Sequence, residues 1–368
     1  MTPRRRVAVV GAGVAGLTAA KNLTRSFDVA VFDKGRGVGG RLATRRIGNA
    51  TFDHGAQFIT THTREFAETV AGWERAGVAK PWFRGRIGPD GVSDPDGHAR
   101  FRGVGTMNAI AKHLAEGLDV RVAARVVALQ PSDATWRIRF DDGTERAADA
   151  VVITTPVPQA LDLLTAGAVR LAAPDGEALQ AIRYEPCLAV LAALRGPSGL
   201  AAPGAVDPDG GPIGWMADNH LKGVSAVPAI TIHATADFSR ASWDSADEVV
   251  AAELLRSAGL ESDEIDDLVQ VQRWRFARPT VIHPDPCLVA DRLPPLVFAG
   301  DAFGGAKVEG RRTRRRRRIR RGRVPARGTG PASGDRRPGQ RSVRQRRAHR
   351  CDEGFGIGWR SGRVPSRF

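Results

Sequence analysis

An α/β fold is what this sequence predicts, and three observations predict it. Val7 to Val10 is a short, wholly apolar run, as expected of a strand buried on both faces. Glycines follow, then small and apolar residues at helical spacing from Val14 to Leu23, then a second strand-like run from Phe27 to Asp33. Apolar runs of the same kind recur far downstream, at Ala150 to Ile153 and at Pro295 to Phe303. One sheet assembled from separated segments accounts for all of them.

The remaining elements follow in order. Residues 64–75 read as an amphipathic helix, and 83–105, rich in Gly, Pro and Asp, as loop and short strands. Thr106 to Gly117 reads as a helix with Thr106 as N-cap and Gly117 as its stop. "VRVAARVVALQ" gives one strand, and "WRIRFDDGTERAADAVVITTP" a hairpin turning at Asp142-Gly143. Helices are expected near 157–165 and 245–257, with "CLAVLAALRG" and "PAITIHATADF" between them as strands of a second sheet.

Charge is distributed unevenly. The chain carries +15, yet residues 311–368 alone carry +18, from 21 Arg, no Lys and three acids, which leaves −3 for residues 1–310. The body therefore gives no electrostatic reason to expect a specific nucleic-acid partner. The three cysteines fit no metal-ligand spacing, and the reading is no metal and a cytoplasmic location. "MTPRRRVAVVGAGVAGLTAA" superficially resembles a secretory signal, but a buried strand turning into a helix explains it better. No run reaches the roughly 18 apolar residues of a membrane span.

The glycines between the first strand and helix carry chemistry. Gly11, Gly13 and Gly16 fit G-x-G-x-x-G, with Asp33 at the end of the next strand. The first glycine permits the tight turn, the second lets a pyrophosphate approach the backbone, and the third allows close helix–strand packing. The helix N-terminus favours the phosphates, and Asp33 suits ribose hydroxyls. FAD and NAD(P) both use this pattern. The next loop, with Lys34, Gly35, Gly37, Gly39, Gly40 and Arg41, favours the longer flavin cofactor, since a nicotinamide dehydrogenase needs no second glycine segment there.

With "VAVVGAGVAGLTAA", "VAVFDKGRGVGGRLATRR", "FDHGAQF", "FRGVGTMNAIAKHLA", "WRFA" and "PLVFAGDAFGG", the chain resembles the flavin-containing amine-oxidase superfamily, and most nearly its renalase-like branch. The resemblance covers residues 7–310 and implies non-covalent FAD on a Rossmann-type domain with an inserted substrate domain. It implies cofactor contacts at Gly11, Gly13, Gly16, Asp33, Lys34, Gly39, Gly40, Arg41, Gln57, Val126, Gly300 and Asp301. His54, Phe58 and Trp274 are candidates to face the substrate, as is His233. Lys222 reads as a substrate contact or, more simply, a solvated loop lysine. The flavin would carry the redox chemistry, so no catalytic residue is assigned.

The resemblance also bears on substrate. Amine oxidases proper build an aromatic cage with tyrosines, and this chain has one tyrosine, Tyr184. Renalase-like proteins are associated instead with dihydronicotinamide isomers and oxygen as acceptor, the favoured reading. An FAD-dependent amine oxidase or desaturase is the alternative, and a nucleic-acid-binding protein acting through the arginines is an alternative of another class.

The expected division is 1–56, 101–156 and 288–310 as the FAD-binding domain and 57–100 with 157–287 as the substrate domain, its sheet mixed or antiparallel. Residues 311–368 are expected to form a basic, disordered tail. Its arginines fit alanine codons read one base out of step, and an Ala-rich helix is what the resemblance places there. An out-of-frame segment from about 311 is the expectation.

Overall fold

The structure, a computed structural model, describes residues 3–88 and 93–304. The expectations for the arginine-rich tail lie outside the described residues. In chain order the first elements are β1 (Arg6–Val10), α1 (Val14–Leu23), β2 (Asp28–Phe32), β3 (Thr44–Ile47), β4 (Ala50–Asp53), α2 (Arg64–Arg75), β5 (Ala79–Ile87), β6 (Ser93–Gly103), α3 (Asn108–Ala115), β7 (Asp119–Arg121), β8 (Val126–Ser132), β9 (Thr135–Phe140), β10 (Glu145–Ala148) and β11 (Ala150–Ile153). Then come α4 (Val157–Ala166), α5 (Ala173–Gln180), β12 (Arg183–Leu194), β13 (Ala205–Val206), β14 (Ile213–Asp218), β15 (Ala229–Ala234), α6 (Ala236–Ala241), α7 (Asp247–Ser257), β16 (Ile265–Val281), β17 (Cys287–Val289) and β18 (Leu296–Ala299).

Two sheets organise the molecule. The first has six strands in the order β17-β18-β11-β1-β2-β7, and only the β17–β18 pair is antiparallel. Its central strands are apolar throughout because both faces are covered. Val7, Val9, Val29 and Val31 pack with α1, α2 and α3, whereas Ala8, Val10, Val151 and Ile153 pack with the sheet β10-β9-β8 and α4. The second sheet is antiparallel, in the order β13-β14-β15-β12-β16, and buries one face against α7.

The structure corrects the sequence reading in several places. "VRVAARVVALQ" is two strands, not one. Ala123 takes a left-handed backbone, φ 51°, and the chain passes there from β7 in the first sheet to β8 in the three-stranded one. Ala123 N donates to Gly35 O and Ala124 N to Asp33 O, so the break is fastened to the end of β2. Residues 79–87 and 93–103 pair as two long antiparallel strands with register shifts, where loop and short strands were expected. Their Gly, Pro and Asp content hid the pairing. The N-cap of α3 is Met107, with no side-chain cap, so Thr106 does not serve as expected. Gly117, φ 74°, follows α3 as the expected stop. Among the described residues, no helix is long and apolar enough to cross a membrane.

Candidate cofactor and substrate site

The glycine loops meet at the carboxyl edge of the first sheet, between β1 and β11, where successive connections leave in opposite directions. Gly11 has φ 110°, and a Cβ there would stand 2.7 Å from Thr154 Oγ1. A Cβ at Gly16 would stand 1.9 Å from Gly11 O, so only glycine lets α1 lie this close to β1. At Gly13, by contrast, nothing lies within 4 Å of the added carbon. The space beside the start of α1 is open. The first turn of α1 has no side-chain cap and no acidic residue, which leaves its amides for an external anion.

The second glycine loop lies against the first. Gly39 N donates to Ala12 O at 2.8 Å, and a Cβ at Gly40 would approach Gly13 Cα to 3.4 Å. Asp33 joins the two loops, accepting from Ala12 N at 2.6 Å and from Gly35 N at 2.7 Å. Lone pairs remain on its carboxylate for a ribose. Val126 opens β8 two residues beyond the Ala124–Asp33 hydrogen bond and so stands near that end. Lys34 is exposed at its rim.

Arg41 and Asp301 close the opposite end. Arg41 Nη1 donates to Asp301 Oδ2 at 2.5 Å and to the carbonyls of Phe276 and Ala277. Burial disfavours the Arg41 charge, but the adjacent Asp301 carboxylate outweighs it and raises the guanidinium above its usual range. Gly300, φ 133°, turns the chain from β18 into Asp301. Among the described residues, two buried polar atoms near these loops have no hydrogen-bond partner, Asn108 Oδ1 beside Gly39 and Thr155 Oγ1 beside Gly11. Open glycines, an uncapped helix, a ribose-competent carboxylate and orphaned polar atoms fit a dinucleotide cofactor.

A third segment, residues 53–58, crosses from this layer to the second sheet. A Cβ at Gly55 would collide with Arg41 O at 2.1 Å, and Ala56 N donates to that oxygen. His54 stacks on Trp274 with ring centroids 5.3 Å apart, and Trp274 Nε1 donates to His54 O at 2.9 Å. His233 Nε2 lies 3.1 Å from the same oxygen. His54, Trp274 and His233 are therefore one cluster. Phe58 leads a second group, contacting Trp215 at 5.3 Å and Phe83 at 5.9 Å.

Gln57 is buried, but its amide is turned inward. Nε2 donates to Asp53 O and Gly55 O, and Oε1 accepts from Lys222 Nζ at 3.1 Å. Only its backbone is left to meet a cofactor. Lys222 corrects the sequence reading outright: it is 0% exposed and lies 3.0 Å from Asp53 Oδ2, itself 0% exposed. Asp53, Lys222, Trp82, Phe83 and Trp215 were all missed. The Asp in "FDHGA" and the Lys in "NHLKG" carry no local sign of burial, because each is enclosed by chain more than 160 residues away.

Comparison with known proteins gives this arrangement a family. Residues 9–71 match the NAD(P)-binding Rossmann-like domain, and residues 90–310 match the flavin containing amine oxidoreductase family. Renalase of Mus musculus is 29% identical over 170 residues, 43% of this chain and 49% of renalase, so the chain spans about half of that relative. A zeta-carotene-forming phytoene desaturase of Myxococcus xanthus is 46% identical over 59 residues, 16% of this chain and 11% of the desaturase.

Among solved structures, putrescine oxidase bound to putrescine superposes with a TM-score of 0.60 at 16% identity, over 83% of this chain and 95% of that one. A putative protoporphyrinogen oxidase from Exiguobacterium sp. 255-15 gives 0.60 at 14%, with the same coverage. These likenesses show the fold. The chain belongs to the flavin-containing amine oxidoreductase family, is similar to renalase within it, and has FAD as its cofactor.

Proposed function

We propose that the chain is an FAD-dependent oxidoreductase that oxidises a small reduced heteroaromatic substrate, in the first instance a dihydronicotinamide isomer, with oxygen as acceptor. The observation that carries the substrate class is the aromatic make-up of the site. The single tyrosine, Tyr184, packs on Phe276, and its hydroxyl accepts from Val157 N. Trp274, Phe58, Trp215 and Phe83 offer flat apolar rings instead, which suit a planar ring better than a flexible ammonium.

The bound flavin would accept the hydride. The protein's part is to hold both rings and keep water out. In this reading Gly11, Gly13, Gly16, Gly39, Gly40 and Arg41 cradle the pyrophosphate, Asp33 with Lys34 and Val126 the adenosine end, and Gly300 with Asp301 the ribityl end. The backbone of Gln57 passes the isoalloxazine, and His54, Phe58 and Trp274 meet the substrate. Residues 1–56, 101–156 and 288–310 hold the cofactor and 57–100 with 157–287 face the substrate. A cytoplasmic site of action fits the cysteine content.

The test is anaerobic mixing of FAD-loaded protein with dihydronicotinamide isomers while the flavin absorbance is followed. Bleaching, reversed by oxygen, is expected. Bleaching by amines alone would replace this reading with an amine oxidase.

A further inference from the structure

Two buried cations lie in the field of one carboxylate, Asp53, at the root of the segment 53–58. Asp53 and Lys222 are 0% exposed and Arg102 is 9% exposed. Lys222 Nζ lies 3.0 Å from Asp53 Oδ2 and 4.9 Å from the centre of the Trp82 ring. Arg102 packs on Gly223, the next residue after Lys222, closely enough that a Cβ there would stand 3.1 Å from its guanidinium. The other Asp53 oxygen is taken by Thr44 Oγ1 at 2.6 Å and Met107 N at 3.0 Å. His54 and His233, the titratable neighbours, are held neutral by burial.

Burial pulls the Lys222 ammonium down, Asp53 raises it and Arg102 lowers it; with its proton held against Asp53, Lys222 and Arg102 leave one positive charge in excess among the described residues. An interior charge without a counter-charge is costly, so a protein that keeps one has an anion to meet. The same lysine fixes Gln57 through Oε1, and Gln57 in turn ties the carbonyls of Asp53 and Gly55. His54 O is held by Trp274 and His233. The segment is thus rigid, and the excess charge lies directly behind it.

We propose that Lys222, Arg102 and Asp53 form a fixed positive field behind residues 53–58 that favours negative charge on the reduced cofactor, with Lys222 also a positioning residue for Gln57. This rests on the reading that the isoalloxazine lies along Gln57 and Phe58. It makes a demand that a purely structural ion pair would not. Removing the lysine takes the cluster from one excess positive charge to none, and removing the carboxylate charge, at a pH where Lys222 still holds its proton, takes it to two. The two changes break the same pair and act on the cofactor in opposite directions.

The experiment titrates sulfite into FAD-loaded full-length protein and follows flavin bleaching, alongside the flavin midpoint potential by dye equilibration. The sulfite lone pair forms a bond to flavin N5, and the adduct carries its negative charge in the ring, so affinity reads the local field. Lys222→Met should weaken sulfite binding about tenfold and lower the potential. Asp53→Asn should strengthen binding about tenfold and raise it. The double variant, again with one excess charge, should return to within about twofold of the parent.

Shifts of both single variants in the same direction, or in neither, would overturn the proposal. If the single variants do not retain flavin, the double variant decides alone, since a tenfold change there would also overturn it. Substrate plays no part in either readout. Failure of every dihydronicotinamide to bleach the parent flavin would strike the substrate reading and leave this one standing.

Discussion

Arg41 and Asp301 stand 260 residues apart in the chain and 2.5 Å apart in the fold. The pair ties the second glycine loop to the end of β18 and holds both charges at the edge of the cofactor cradle. Arg41→Ala and Asp301→Asn should each weaken FAD binding at least tenfold, read from quenching of flavin fluorescence on titration. Arg41→Lys should rescue only in part, because an ammonium lacks the fork that reaches Asp301 and the carbonyls of Phe276 and Ala277 together.

Gly13 and Gly16 separate binding from folding. Gly13→Ala meets nothing within 4 Å and should leave the thermal midpoint nearly unchanged while lowering FAD affinity at least tenfold. Gly16→Ala forces its Cβ into Gly11 O and should cost about 2 kcal/mol or more of stability even without cofactor. Melting curves of the apoprotein, set beside FAD titrations, distinguish the two. Equal loss of stability in both variants would refute the assignment of their roles.

Stability should fall in acid. Burial, with Arg45 beside it, pushes the His54 imidazole down to about 4, and burial does the same to His233, also to about 4, with Lys222 adding to it. The unfolded histidines protonate first, near their ordinary 6.5. The contribution is therefore whole above about pH 6.5 and is lost as the pH falls toward 4, at up to about 1.4 kcal/mol per pH unit per histidine. Denaturant melts between pH 4.5 and 7.5 should show this slope, and His233→Gln should flatten it.

Burial also pushes the Cys187 thiol up to about 12, despite Arg278 nearby. Thiolate is the nucleophile, so this cysteine should resist alkylation in the folded protein. Peptide mass spectrometry after iodoacetamide should find Cys187 unmodified until denaturant is added. Cys187 is only half-buried, so rapid modification at native conditions would refute the raised thiol.

The out-of-frame reading of residues 311–368 is decided at the level of DNA. A neighbouring frame should encode an Ala- and Leu-rich helix just beyond Gly310, and a chain translated in that frame should retain FAD more tightly than this one. Stop codons or a polar sequence in both other frames would end the idea.

What could be read from sequence, and what could not, follows from the range of the interactions. β1, α1, β2 and Asp33 are adjacent in the chain, and their spacing carries the physics of strand, turn and helix N-terminus. The hairpin β5–β6 was hidden because its turn-rich composition outweighs its pairing, which fixes it only in the fold. Lys222 is the extreme case. Nothing in "NHLKG" distinguishes a solvated lysine from a buried one, and what buries it is Asp53, Gln57 and Trp82. Long-range electrostatics leaves no local pattern.

The first sheet has a consequence for how the protein is made. β1 pairs with β2 soon after synthesis starts, but its other neighbour, β11, begins at Ala150, and β18 cannot join β11 before Ala299 has emerged. At roughly 5–20 residues per second, the ribosome finishes the second sheet while the first still lacks an inner strand. The glycine loops are translated first and become a binding site last. Until Ala299 has emerged, a chain whose second sheet is already complete still exposes the edge of β11, the surface a chaperone would be expected to hold.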